Sequence, residues 1–188
     1  MKIPVSISNR HIHLSQKDAD SLFGTNYQFT VLKNLSQPGQ FAYQEVVTIS
    51  WPKWSIEGVR VLWPCRKDTQ IEILMGDNFS LGIQAPLRLS WDLEATPGLK
   101  ITWPKWSIQT TKWTIVAQRH LHISDIKAKE SGLQTWQIIK VKIDGPRWAI
   151  LENIIVRTSK DFDTDLHLDR EEGNACGINM QTLWEITT

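Results

Sequence analysis

The chain of 188 residues suits one ordinary domain or two small ones, and its 41% hydrophobic and 22% charged content fits a folded globular protein rather than a disordered one. Its 21 basic residues nearly balance 20 acidic ones, and a formal net charge of +1 excludes the broad electrostatic footprint of a nucleic-acid or anionic-membrane binder. No run approaches the ~20 apolar residues of a membrane span, and Met1-Lys2-Ile3-Pro4-Val5-Ser6 lacks the apolar stretch of a secretion signal.

Taken in chain order, runs of Val, Ile and Thr with polar neighbours at period two predict strands at 2–8, 44–50, 58–63, 70–74, 99–103, 114–117, 137–143 and 153–158. Helical signals are few. Ser15, with Asp18 three residues on, caps a short helix that stops before Gly24. Ser124 leads into Asp125–Glu130 in the same way, and 169–175 forms a third candidate. No low-complexity linker divides the chain. Many short strands with few helices predict a mainly β barrel or sandwich. Cys65 and Cys176 stand far apart with no Cys-x-x-Cys, the pattern of free thiols in a reducing cytosol.

Two internal repeats stand out. Ser8-Asn9-Arg10-His11-Ile12-His13-Leu14-Ser15 recurs as Ala117-Gln118-Arg119-His120-Leu121-His122-Ile123-Ser124, and each copy precedes a helix candidate. Trp51-Pro52-Lys53-Trp54-Ser55-Ile56 recurs as Trp103-Pro104-Lys105-Trp106-Ser107-Ile108. Two copies of each fit a duplicated barrel better than a solenoid, which needs three or more stacked units.

Four of the five histidines sit in two His-x-His pairs. On a strand, residues i and i+2 project to one face, so each pair aims two imidazoles at one point, half of a site for zinc or a similar divalent ion. The fifth is His167. Five imidazoles are too few for two metals, so a carboxylate is expected to join them. Glu72 shares a strand face with Gln70; Asp165, Asp169, Glu171 and Glu172 are alternatives, and Cys65 and Cys176 are weaker ones. No Walker loop, Gly-x-Gly-x-x-Gly or Ser/His/Asp arrangement is present. Arg66, six residues before Glu72, could clamp a phosphate or carboxylate through its planar guanidinium; Ser90 and Arg157 are weaker candidates.

Together, the first histidine segment, Leu35-Ser36-Gln37-Pro38-Gly39-Gln40, Arg66-x-x-Thr69-Gln70-Ile71-Glu72, Arg119-His120-Leu121-His122 and His167-Leu168-Asp169-x-x-x-x-Asn174-Ala175 resemble the PduL-type phosphotransacylases, also called phosphate propanoyltransferases. The resemblance runs from residue 3 to residue 177 with the motifs in order. It implies two β-barrels capped by short α-helices, with an active site between them holding two zinc ions. The first strand would cross over, giving one barrel from residues 1–9 and 118–188 and another from residues 10–117. Carried across by motif, one zinc falls to His11, His13 and Glu72, the other to His120, His122 and His167. Arg66 maps to the phosphate contact; Gln37, Gln70, Ser90 and Arg157 map to pocket-lining residues; Lys33, Arg60 and Asn174 map to coenzyme A contacts.

The implied reaction moves an acetyl or propanoyl group reversibly between coenzyme A and inorganic phosphate. The first strand begins near Ile3 with no targeting extension before it, which predicts a free cytosolic enzyme, and the resemblance implies a homodimer. The rival readings are a two-metal hydrolase and an inactive metal-binding relative.

Trp and Gly number ten each, where average usage of about 7% predicts ~13 glycines. Nine of the tryptophans (Trp51, Trp54, Trp63, Trp91, Trp103, Trp106, Trp113, Trp136 and Trp148) fall where the resembled family has turn glycines. Either paired indoles clasp the hairpin tips or form an interface, or these are UGA codons, one base from the glycine codon GGA, that the source organism reads as glycine. The second reading predicts positive φ or exposed turn tips at several of these residues.

Overall fold

The computed structural model describes residues 2–144, 146–178 and 183–187, the last of these as backbone. It is mainly β, as expected, and its contacts divide the chain into one unit of residues 1–8, 36–38 and 118–188 and another of residues 9–35 and 39–117.

The first unit is a closed barrel of six strands in the spatial order β1 (Lys2–Ser8), β14 (Asp165–Asp169), β11 (His120–Ile123), β13 (Ala149–Thr158), β12 (Ile138–Ile143) and β15 (Leu183–Thr187), with β15 returning to pair β1. Its core holds Ile3, Leu121, Ile123, Val141, Ile154, Val156 and Leu166. Strict alternation in β12, exposed at Ile138, Lys140 and Lys142 and buried at Ile139, Val141 and Ile143, shows the period-two pattern at work.

The second unit is a nine-stranded sheet in the order β7 (Leu87–Arg88), β10 (Thr114–Ala117), β6 (Gln70–Ile73), β2 (His11–Ser15), β5 (Trp54–Arg66), β4 (Phe41–Trp51), β8 (Lys100–Trp103) and β9 (Trp106–Gln109), with β3 (Val31–Asn34) also beside β4. The resemblance implied a second barrel. Among the described strands this sheet stays open, with the two-residue β7 at one edge and β9 at the other. Ile12, Leu14, Leu22, Val47, Ile49, Val61, Ile71 and Ile101 build its core.

The helices start where the capping residues predict. Ser15 Oγ accepts from the Asp18 amide at the start of α1 (Gln16–Phe23), and Gly24 ends it at φ 95°. Ser124 Oγ accepts from the Lys127 amide before α3 (Asp125–Glu130). Asp169 and Glu172 form a reciprocal capping box on α4 (Arg170–Cys176). The short α2 (Asp77–Leu81) was not predicted: Gly76 precedes it with no side-chain cap, and five residues are too few for a periodic signal. Among the described residues, no helix is long and apolar enough to cross a membrane.

Each His-x-His strand holds fully buried aliphatics on the face opposite its histidines, Ile12 with Leu14 in β2 and Leu121 with Ile123 in β11. Truncating the first of either pair, Ile12→Ala or Leu121→Ala, should cost about 2–5 kcal/mol. The measurement is a lower urea midpoint in equilibrium unfolding.

Candidate metal and anion site

In the second unit β2 lies between β5, parallel, and β6, antiparallel. That register sets His11 opposite Glu72 and His13 opposite Gln70. His11 Nδ1 is 2.8 Å from the Asn9 carbonyl and its Nε2 is 3.2 Å from Glu72 Oε2. A carbonyl only accepts, so Nδ1 carries a proton and, in the neutral ring, Nε2 is the lone-pair nitrogen. His13 Nδ1 likewise meets the Pro64 carbonyl at 3.3 Å. Gln70 Nε2 donates to Glu72 Oε1, and Ser90 Oγ reaches the same oxygen at 3.3 Å. The polar residues expected around the site therefore hold its carboxylate.

The electrostatics follow from this packing. Burial, then the Arg66 and His11 charges, push His13 down to about 3. Burial opposes ionisation of Glu72, yet the charge and hydrogen bond of His11, with Arg66 and His13, hold its carboxyl well below the usual carboxylate range. Burial also works against a charged His11, but Glu72 and the Asn9 carbonyl outweigh it and raise its pKa. The Arg66 guanidinium lies 4.4 Å from the Trp91 ring centroid, a cation–π contact.

In the first unit β11 lies between β13, parallel, and β14, antiparallel, which sets His120 opposite His167 and His122 opposite Asp165. The ligand atoms of His120, His122 and His167 all lie within 4.8 Å of one another, the group of this kind that converges so closely among the described residues. His120 Nδ1 meets the Gln118 carbonyl at 2.8 Å, repeating the His11 arrangement. Neither ring nitrogen of the buried His122 has a hydrogen-bond partner. Burial, then the charges of His167, His120 and Arg157, push its pKa down to about 2. Asp165 Oδ2 stands 3.4 Å from His167 Nε2, and burial raises the Asp165 pKa.

Three convergent imidazoles, one of them neutral, buried and without a hydrogen-bond partner, fit three of the four positions of a tetrahedral zinc ion. His11, His13 and Glu72 are chemically suited to the same ion, although their ligand atoms do not converge as tightly.

The other candidates are placed as follows. Gln37 is buried and donates from Nε2 to the Asp163 carbonyl at 3.2 Å. Arg157 pairs with His122 in register, and its guanidinium lies 5.9 Å from the Phe162 ring. Arg60 gives its Nη1 to the Tyr43 and Gln44 carbonyls, 3.0 and 2.6 Å away, and Lys33 and Asn174 are exposed on β3 and α4. Cys65 and Cys176 are free, and burial pushes both thiols up, which disfavours the ligating thiolate. Sequence reasoning missed Phe162, stacked on His122 with centroids 4.1 Å apart. It lies in the loop between β13 and β14, where no period marks it.

A profile of the phosphate propanoyltransferase family matches residues 4–179. The phosphate propanoyltransferase of Clostridioides difficile (strain 630) is 42% identical over 184 residues, covering 98% of this chain and 88% of the relative. That of Thermotoga maritima is 44% identical over 178 residues, 94% of this chain and 85% of the relative. That of Rhodobacter capsulatus is 42% identical over 181 residues, 96% and 84%. The class is thereby defined: the chain is a phosphate acyltransferase. More particularly, it belongs to the phosphate propanoyltransferase family.

In the zinc-free protein the buried neutral histidines make stability depend on pH. His13 and His122 take up a proton on unfolding, so their contributions are complete above their ordinary value of 6.5 and are lost as pH falls toward 3 and 2. His11, with its raised pKa, contributes in the opposite sense, fully below 6.5 and less as pH rises. His13 and His122 lose stabilisation throughout the fall from 6.5 to 5, whereas His11 changes only above 6.5, so with chelator present the urea midpoint should be lower at pH 5 than at pH 7. His122→Gln should flatten that dependence.

Proposed function

We propose that the chain moves a short acyl group, acetyl or propanoyl, reversibly between coenzyme A and inorganic phosphate, with one zinc ion held by His11, His13 and Glu72 and another by His120, His122 and His167. The observation that carries the metal half of this reading is the convergence of three imidazoles around His122, whose ring nitrogens have no hydrogen-bond partner. Family membership supports the acyl transfer.

Bound zinc supplies a Lewis acid that can polarise a thioester carbonyl, and an affinity for thiolate sulfur. The protein's own residues do the rest. Arg66 neutralises and orients the phosphate, turning a two-body encounter into a positioned attack. A phosphate oxygen attacks the thioester carbonyl carbon, the new C–O bond forms as the C–S bond breaks, and coenzyme A leaves as its thiolate. No protein nucleophile is needed, and both cysteine thiols are held in their protonated form by burial. Gln70 and Ser90 keep Glu72 oriented toward His11. Gln37 and Arg157 would line the pocket beside the second histidine group, and Lys33, Arg60 and Asn174 would meet coenzyme A.

Arg66→Ala should lower turnover by about 10²–10³-fold, the scale of losing one charge-stabilising donor, while zinc content stays at the wild-type value. Loss of zinc in that variant would reassign Arg66 to the metal. Coenzyme A release from acyl-CoA should require phosphate and should stop after chelation; release without phosphate would favour the two-metal hydrolase.

A further inference from the structure

The duplication runs beyond the histidines. Arg10 directly precedes His11, and its Nε and Nη2 donate to Asp77 Oδ2 and Oδ1, both at 2.7 Å. Arg119 directly precedes His120, and its Nε lies 3.2 Å from Glu172 Oε1. Asp77 stands five residues after Glu72, and Glu172 stands five after His167. Each acid also accepts from the backbone two residues past the third ligand: Asp77 Oδ2 from the Leu74 amide at 2.9 Å, Glu172 Oε2 from the Asp169 amide at 3.0 Å. In each unit, therefore, one acid ties the strand bearing two ligands to the chain leaving the strand that bears the third.

An incidental surface ion pair would not explain this. The two acids are different residue types, Asp77 first in α2 and Glu172 third in α4, yet each reaches the same two partners. Asp77 is also buried. We propose that Arg10–Asp77 and Arg119–Glu172 are equivalent positioning pairs, each fixing the ligand geometry of its own zinc site. The inference rests on the two-zinc reading above. Outer partners of this kind typically govern metal affinity by about 10–100-fold.

The test uses the full chain loaded with zinc and reduced to one site at a time. Asp77→Asn is measured with His122→Gln, which leaves the His11 site, and Glu172→Gln with His13→Gln, which leaves the His120 site. Zinc release to a chelator should accelerate about 10–100-fold in each matched pairing and stay unchanged in the swapped pairings. Arg10→Lys and Arg119→Lys should recover part of the loss relative to alanine. Unchanged release in the matched pairings overturns the inference, as does equal acceleration in matched and swapped ones, which would mean general destabilisation. A wild-type chain that binds no zinc defeats the site reading itself and takes the inference with it.

A separate observation carries a second inference. Trp91, Trp113 and Trp136 have φ of 81°, 92° and 68°, in a region otherwise occupied, among the described residues, by six glycines, two asparagines and an alanine. A bulky β-carbon substituent is strained there. Trp51 pairs with Trp54, and Trp103 with Trp106, across two-residue Pro-Lys turns. Trp54 and Trp106 are each 65% exposed, and Trp148 is 68% exposed. The Trp91 ring also covers Arg66. We infer that Trp51, Trp54, Trp63, Trp91, Trp103, Trp106, Trp113, Trp136 and Trp148 are glycines in the protein the source organism makes, encoded by UGA.

The gene should carry UGA at these nine positions, and the intact mass of the native protein should be lighter by nine indole side chains. UGG codons, or a native mass that includes those indoles, overturn the inference. Recombinant protein with glycine at all nine should melt higher than the tryptophan form, and Trp91→Gly alone should lower KM for phosphate by uncovering Arg66. A lower melting temperature for the glycine form would also count against it.

Discussion

Each histidine cluster depends on an antiparallel register within its own unit. His11 faces Glu72 across β2 and β6, and His120 faces His167 across β11 and β14. The period of a strand is two, so a slip of one residue would send both imidazoles into the core and bring Ile12 or Leu121 out. Those two aliphatic residues are fully buried, and their burial resists the slip. Apolar packing on one face thus holds the geometry of the histidines on the other. The carbonyls of Asn9 and Gln118 then fix which nitrogen of His11 and His120 points away from the backbone.

The same duplication explains the uneven chemistry of the two halves. Glu72 and His167 occupy equivalent places, as do Gln70 and Asp165. One half therefore pairs a carboxylate with two imidazoles, which raises the pKa of His11 and leaves Glu72 ionised. The other gathers three imidazoles and keeps His122 neutral. One scaffold carries a histidine pair beside a carboxylate and a cluster of three histidines.

Much of this was legible in the sequence. The His-x-His repeat placed four imidazoles, strand facing singled out Glu72 beside Gln70, and Ser15 and Ser124 marked two helix starts at the residues where they occur. Other features left no local signal. α2 has neither a capping side chain nor enough length for a period, and β3 is exposed along its whole length. The two-residue β7 at the edge of the open second sheet is too short for any pattern to announce. Asp77 and Glu172 could have been found by carrying the repeat past the third ligand, where both stand at the same offset.

The first strand of each repeat pairs away from the strand that follows it. β1 precedes β2 but pairs β14, with Ser6 beside His167, and β10 precedes β11 but pairs β6, with Ile115 beside Glu72. Ser6 and Ile115 both lie five residues before their own first histidine, so the exchange is reciprocal. During synthesis this imposes an order. The nine-stranded sheet has all its strands once Ala117 has left the ribosome, while β1, made first, waits for β14 and β15, made last. Barrel closure between strands so far apart in the chain is the kind of non-local pairing that folds slowly, so β1 stays an unpaired edge until β14 has been made.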